Sequence, residues 1–125
     1  MAQGRVTHCI IFEPDLSCRQ TLENALASIC WTVAFVESLS DIFLPTNAPW
    51  AFLLAVESGD LGAVESIRDI RANGTDVVIC VLVEEISPDF DRQVTEAGAD
   101  SVFAKPVQEK EIVEALVSGF LSRRR

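Results

Sequence analysis

The sequence has none of the short motifs by which many enzymes hold nucleotides or metals. Neither glycine-rich phosphate loop, GxGxxG or GxxxxGKS/T, occurs in its 125 residues. The single histidine, His8, stands at the start of a predicted strand without a metal-ligand spacing, and the cysteines form no CxxC pair. The four cysteines are Cys9, Cys18, Cys30 and Cys80. We therefore expect buried free thiols in a reducing compartment, and neither a cofactor nor a metal.

Basic residues and long apolar runs are also scarce. Ten lysines and arginines stand against 19 aspartates and glutamates, which gives a net charge of −9. Phosphate backbones and anionic membranes repel such a chain, so we predict no direct binding to nucleic acids or membranes. The basic cluster at residues 123–125 fits a solvated tail or the start of a linker. No apolar run approaches the ~18 residues that span a bilayer, and no signal peptide is recognisable, which predicts a cytoplasmic location.

What the sequence does contain is a regular alternation of apolar runs and helix-like segments. The runs are short, rich in β-branched residues and continuously apolar, which is typical of parallel strands buried on both faces. They cover residues 7–12, 32–36, 51–56, 77–83 and 101–104. Five β-α repeats with right-handed crossovers predict an α/β fold with a doubly wound parallel sheet of five strands.

The segments between the runs carry helix signals. Leu16, Leu22, Leu26 and Ile29 are spaced to share one helical face. Residues 64–70 repeat this spacing before a stop at residues 71–74, and residues 107–120 mark the last helix. Ser87 precedes a proline and is predicted to cap a helix that runs through residue 96. Residues 38–44 are predicted as a short, weak helix.

The strand ends contain the candidate site. Lys105 follows the fifth strand, at the sheet edge where open α/β folds place their chemistry, and its charge suits a phosphoryl or carboxylate group. Glu13, Asp15 and Glu57 are expected near the same edge. Two interpretations remain open: either Glu57 or Glu13 pairs with Lys105, or all three acids are solvated loop residues. Asp15 also fits a helix cap, and Asp60 and Asp100 fit turns.

Several of these motifs together resemble one family. They are residues 10–15 (IIFEPD), Arg19 and Leu22 in the first helix, residues 97–100 (AGAD) and Lys105-Pro106. In order and spacing they resemble the response-regulator receiver domain over residues 6–121. The resemblance implies one domain over residues 1–125 with the (βα)5 flavodoxin-like fold and the strand order 2-1-3-4-5. It also implies a cis peptide bond before Pro106.

The resemblance implies a phosphorylation pocket from which key groups are missing. Working receivers use two acids after strand one, an aspartate after strand three, a hydroxyl after strand four and a lysine after strand five. Here Glu13 and Lys105 keep their positions. The replaced positions are Pro14 for the second acid, Ala55 for the phosphoacceptor, Val83 for the hydroxyl and Val102 for the switch aromatic. Alanine cannot accept a phosphoryl group, and the proline side chain cannot bind Mg²⁺.

We therefore interpret the chain as a degenerate receiver, or pseudo-receiver, that is not an enzyme and signals through protein contacts. The resemblance implies a histidine kinase, a phosphotransfer protein or a second copy as the partner. The family's usual partner face corresponds here to Asp91, Thr95, Asp100, Val102, Lys110 and Glu111.

Three alternatives remain. The chain could be the N-terminal regulatory module of a longer transcription regulator, or an atypical phosphoacceptor that uses Glu57, Asp60 or Asp15. It could also be a sensor that binds a small anionic ligand in an apolar recess formed by Ala55, Val83 and Val102 beside Lys105.

Overall fold

The computed structural model describes residues 8–29, 32–38, 51–73 and 77–123. The strands are β1 (His8–Phe12), β2 (Thr32–Val36), β3 (Ala51–Ala55), β4 (Val78–Val83) and β5 (Ser101–Ala104). The helices are α1 (Leu16–Ser28), α2 (Leu61–Asn73), α3 (Pro88–Ala97) and α4 (Glu109–Arg123). Most of the weak helix predicted at residues 38–44 lies outside the described residues, as do Cys30 and the last two arginines.

The five strands form one parallel sheet in the order β2-β1-β3-β4-β5. Ile10 of β1 pairs with Ala34 of β2 and with Phe52 of β3, and Val81 of β4 pairs with Val102 of β5. The predicted parallel sheet and its strand order are therefore confirmed. All carboxyl ends of the strands lie at one edge of the sheet, because every strand runs in the same direction.

Helices cover both faces of the sheet. Every residue of β3 and β4 is buried, because these central strands lie between two helical layers. On one face, Leu22 and Leu26 of α1 pack with Ile112 and Leu116 of α4. On the other face, residues of α2 and α3 surround Phe52. Within the described ranges, no helix is long and apolar enough to cross a lipid bilayer.

One residue of the predicted apolar face of α1 points into solvent. Leu16 is 73% exposed, whereas Leu22, Ala25 and Leu26 are buried. The prediction for Leu16 is wrong because this residue opens the helix at the sheet edge, beyond the strands that the rest of the face covers. The small Ala25 takes a place on the buried face that the spacing of the larger residues does not reveal.

Two cysteines lie in the core of the sheet. Cys9 and Cys80 are buried free thiols, and Cys18 is a half-buried one. Burial, with a smaller effect of the Asp100 charge, raises the pKa of Cys80 to about 12. Burial also raises the pKa of Cys9, so both thiols remain protonated at neutral pH.

An ion pair joins α2 to the start of β5. Arg71 Nη2 lies 3.1 Å from Asp100 Oδ2, and both side chains are mostly buried. The guanidinium also donates to the backbone oxygens of Val77 (2.8 Å) and Gly98 (2.7 Å), while Asp100 Oδ2 accepts from Ile79 N (2.8 Å). Asp100 is therefore more than the turn residue that the sequence predicts, because its carboxylate aligns β5 with β4.

The turn before β5 needs a glycine at residue 98. Gly98 ends α3 with φ at +130°, a backbone conformation that side-chain-bearing residues rarely adopt. A Cβ at this position would also lie 3.0 Å from the Arg71 side chain. The glycine thus gives the Arg71 guanidinium close access to the backbone of the turn.

Candidate functional site

A recess of about 540 Å³ opens at the carboxyl edge of the sheet. It lies where β1, β3, β4 and β5 end, so its walls come from the strand-to-helix connections that follow four neighbouring strands of the sheet. Its lining residues are Phe12, Glu13, Pro14, Asp15, Ala55, Val56, Glu57, Asp60, Glu84 and Lys105. The topology thus brings together the four acidic-pocket residues that the sequence singled out: Glu13, Asp15, Glu57 and Lys105.

Glu13 is the buried member of this group. Its side chain is fully buried, and Oε1 accepts a hydrogen bond from Asp15 N at 2.9 Å. Arg19 donates from Nε to the Glu13 backbone oxygen at 2.6 Å, and its guanidinium lies 5.0 Å from the centre of the Phe35 ring. Arg19 therefore positions Glu13, a role that its place beside the apolar face of the helix does not indicate.

Lys105 pairs with this buried carboxylate. Its Nζ lies 2.7 Å from Glu13 Oε2, and the lysine side chain is only 12% exposed. The contact is a close ion pair between two largely buried groups. For Glu13, the interpretation as a solvated loop acid is wrong. Glu57 is exposed and lines the recess without belonging to the ion pair.

The charge of Lys105 is maintained by its neighbours. Burial by itself lowers the pKa of the ammonium, but the Glu13 carboxylate, with smaller effects from Cys18 and Glu84, raises it further than burial lowers it. The pKa of Lys105 therefore lies above the usual value for a lysine. In the folded protein the ammonium is therefore charged at neutral pH, and it acts as a permanent counter-ion for Glu13.

Asp15 and Asp60 cap helices at the rim of the recess. Asp15 Oδ1 accepts from Ser17 N (3.0 Å) and Ser17 Oγ (2.8 Å), and these bonds lower the pKa of the Asp15 carboxyl. A lowered pKa stabilises the fold above the ordinary aspartate pKa, and this contribution is lost as the pH falls through the folded-state value. Asp60 accepts from Ala63 N at 3.2 Å. Both carboxylates have local structural partners and still face the recess.

The replaced positions do not form the apolar recess that the sequence suggested. Ala55 is 4% exposed, and it and Pro14 line the recess. Val83 is fully buried in the core cluster on the α2 and α3 face of the sheet, and Val102 packs against that cluster. Neither valine lines the recess. The prediction fails because successive strand residues point to opposite sheet faces, and both of these valines face the core. Phe103 packs on the α1–α4 face, opposite Val102, as the alternation predicts.

Glu84 is a site residue that the sequence analysis did not single out. It follows β4 directly and lines the recess beside Lys105. Its position was accessible in principle, because the residue after any strand of a parallel sheet lies at the same edge as the residues after its neighbours. With Glu84 included, five carboxylates and one ammonium line the recess, which is therefore acidic.

The donor set of the recess does not fit the Mg²⁺ ion that working receivers bind. Pro14 and Ala55 present no side-chain oxygen, and Glu13 already has the lysine ammonium at 2.7 Å. Within residues 8–29, 32–38, 51–73 and 77–123, no three His, Cys, Asp or Glu side chains are grouped so that they could hold a metal. The peptide bond between Lys105 and Pro106 is cis, as the resemblance implies.

The residues predicted as a partner face lie on α3, on α4, on β5 and directly before β5, and several have local partners. Thr95 Oγ1 donates to Asp91 Oδ1 at 3.2 Å, and Glu111 Oε1 accepts from Gln108 N at 3.1 Å. Val102 is half-buried against the core. The other two members are Asp100, which pairs with Arg71, and the exposed Lys110.

Comparison with known proteins identifies the fold. No protein-family model matches the sequence, and no curated protein matches it. Among solved structures, the signal receiver domain of a putative Luxo repressor protein from Vibrio parahaemolyticus superposes with a TM-score of 0.82 at 14% identity, over 96% of this chain and 94% of that one. A response regulator protein from Burkholderia multivorans gives 0.77 at 23% identity, over 94% and 96%.

A third neighbour is a longer protein. The response regulator DrrB, a Thermotoga maritima OmpR/PhoB homolog, gives a TM-score of 0.78 at 20% identity. The match covers 97% of this chain but only 55% of DrrB. All three neighbours share the parallel five-stranded architecture found here, so the chain has the CheY-like, flavodoxin-like fold of response-regulator receiver domains.

Proposed function

We propose that this chain is a degenerate receiver domain of the response-regulator family, which signals through protein contacts without aspartyl phosphorylation. The observation that carries the proposal is the ion pair between Lys105 Nζ and Glu13 Oε2 at 2.7 Å, at the edge where β3 ends in Ala55. The lysine that would stabilise a transferred phosphoryl group neutralises a buried carboxylate instead.

The chemistry of phosphoryl transfer supports this proposal. Transfer to a receiver needs a carboxylate nucleophile and a metal that neutralises the phosphoryl oxygens. Ala55 has no nucleophilic atom, and Pro14 has no side-chain ligand for the metal. Four further carboxylates face the recess and would repel an incoming phosphoryl dianion. The arrangement therefore favours a role without phosphoryl transfer for this edge of the domain.

Protein partners follow from the fold family. Receiver domains act by contacting kinases, phosphotransfer proteins, output domains or second copies of themselves. We propose the same classes of partner here, with the exposed residues Asp91, Thr95, Lys110 and Glu111 as one candidate face. A cytoplasmic location accords with the free thiols at Cys9, Cys18 and Cys80.

The alternative role as a regulatory module of a longer transcription regulator is favoured by one comparison. The chain matches 55% of the DrrB response regulator, whose remaining length lies outside the match. Such a role is compatible with phosphorylation-independent signalling, because the receiver part could contact an attached output domain by the same surfaces.

A magnesium titration tests the loss of the metal site. We expect the amide spectrum of ¹⁵N-labelled protein to remain unchanged at residues 13, 15, 55–57 and 105 up to millimolar Mg²⁺, because the ligand set is incomplete. A parallel titration with KCl at the same ionic strength controls for the screening of charges by salt. Saturable shifts confined to these residues would contradict the proposal.

A further inference from the structure

The large apolar side chains that are exposed in the described parts of the chain all lie at one edge of the molecule. Leu16 is 73% exposed, Leu61 is 64% exposed and Ile86 is 46% exposed. Leu16 opens α1 after β1, Leu61 opens α2 after β3, and Ile86 lies between β4 and α3. Each therefore belongs to a connection that leaves the carboxyl edge of the parallel sheet.

These apolar residues lie close in sequence to residues that line the acidic recess. Leu16 follows the recess residue Asp15, Leu61 follows the recess residue Asp60, and Ile86 stands two residues after Glu84. The edge thus combines a concave acidic centre with three exposed apolar residues, Leu16, Leu61 and Ile86, on the adjoining connections, which we call the apolar rim. Isolated exposed apolar residues are common on proteins, but their concentration around one concave site indicates an interaction surface.

The charge of the recess defines what it can accept. Lys105 is the one basic residue among those that line the recess, and it pairs with Glu13, so the carboxylates of Asp15, Glu57, Asp60 and Glu84 leave the recess with a net negative charge. A cationic group would gain Coulomb energy from these carboxylates, whereas a phosphoryl group would be repelled.

We propose that this edge docks a basic amphipathic segment of a partner protein. A lysine or arginine of the segment enters the recess of about 540 Å³, and flanking aliphatic side chains cover Leu16, Leu61 and Ile86. Long basic side chains suit this arrangement, because their methylene stems cross the apolar rim while their charged heads reach the carboxylates. This inference rests on the proposed function, since it names the chemistry of the partner for a domain that signals by contact.

The experiment selects peptides from a random-peptide display library on the immobilised full chain. We expect the enriched peptides to contain lysine or arginine flanked by leucine, isoleucine, valine or methionine. Their affinity should fall about tenfold on the variant E57Q/E84Q, which removes two exposed recess charges. The control variant E23Q/E114Q loses the same charge at exposed sites on α1 and α4 and should bind as the wild type does.

A second variant separates the apolar rim from simple charge attraction. Leu61→Ser changes an exposed residue, so the fold should be unaffected, while affinity for the selected peptides should fall several-fold. Selection of acidic or purely apolar peptides, of peptides indifferent to E57Q/E84Q, or of none at all would overturn the proposal. Self-association of the wild type that E57Q/E84Q abolishes would assign the edge to a second copy and would also overturn it.

Failure of this docking inference can be distinguished from failure of the proposed function. Peptides that bind the face of Asp91 and Lys110 would refute docking at the recess and leave phosphorylation-independent signalling intact. Incorporation of phosphate from a small phosphodonor would refute phosphorylation independence, whatever peptides are selected.

Discussion

Replacement of Lys105 by methionine is expected to lower the free energy of unfolding by about 3 kcal/mol, because it leaves the carboxylate of Glu13 buried without a counter-ion. Glu13 is fully buried, and the lysine ammonium lies 2.7 Å from its Oε2. Methionine preserves much of the lysine stem, so most of the loss reports the charge rather than packing. Urea unfolding at neutral pH measures the difference.

The double variant Lys105→Met/Glu13→Gln should recover much of this loss. Glutamine keeps an oxygen for the hydrogen bond from Asp15 N and carries no charge, so no buried charge remains uncompensated. The control Lys110→Met changes an exposed lysine of α4 and should alter stability by less than about 0.5 kcal/mol. Equal effects of the two lysine variants would show that the Glu13–Lys105 pair contributes nothing particular.

The pH dependence of the Lys105 effect follows from its raised pKa. A lysine whose pKa is higher in the folded state than in the unfolded state stabilises the fold fully below the unfolded-state value, near 10.5. The contribution is lost as the pH rises through the folded-state pKa. The stability difference between the wild type and Lys105→Met should therefore be constant around neutral pH and should decrease once the pH exceeds the unfolded-state value near 10.5.

Replacement of Arg71 by alanine is the second large effect, with an expected loss of about 3 kcal/mol. The guanidinium donates to the backbone oxygens of Val77 and Gly98 and pairs with Asp100. Its removal leaves these mostly buried acceptors without that donor and frees the turn that aligns β5 with β4. Hydrogen exchange should then show faster opening of Ser101–Ala104 than of the central strand β3.

Arg68 provides the matched control for this prediction. It is an exposed arginine in the same helix, so Arg68→Ala should change the free energy of unfolding by less than about 0.5 kcal/mol. Arg71→Lys should recover only a small part of the loss, because an ammonium cannot span the two backbone oxygens and the carboxylate as the planar guanidinium does. If Arg71→Lys were as stable as the wild type, charge alone, without the planar geometry of the guanidinium, would be sufficient to hold the turn.

The fold could be predicted from the sequence because its strands are uninterrupted apolar runs. The apolar sequences VICVLV of β4 and AFLLA of β3 indicate strands that are buried on both faces. The signal at Ser87-Pro88 predicts the start of α3 to within one residue. The prediction for Leu16 failed because helical spacing gives the direction of a side chain around the helix axis. It does not show whether the sheet extends far enough to cover a residue at the end of the helix.

The site was less predictable because it depends on side-chain geometry. The sequence placed Glu13, Glu57 and Lys105 at one edge but could not choose between the two carboxylates, since both follow strands. Burial distinguishes them: Glu13 lies beneath the recess and Glu57 on its rim. The contact between Arg71 and Asp100 joins residues 29 positions apart, and neither residue carries a local signal for it.

The central claim is that this receiver-fold domain cannot be phosphorylated at the edge where Lys105 lies. Incubation of the full chain with Mg²⁺ and a small phosphodonor such as acetyl phosphate, followed by intact-mass measurement, tests it most directly. We predict no phosphoryl adduct on the wild type, because Ala55 offers no nucleophile and Lys105 is held by Glu13. A stoichiometric adduct that Glu57→Gln or Asp60→Asn abolishes would contradict the account and establish an atypical phosphoacceptor.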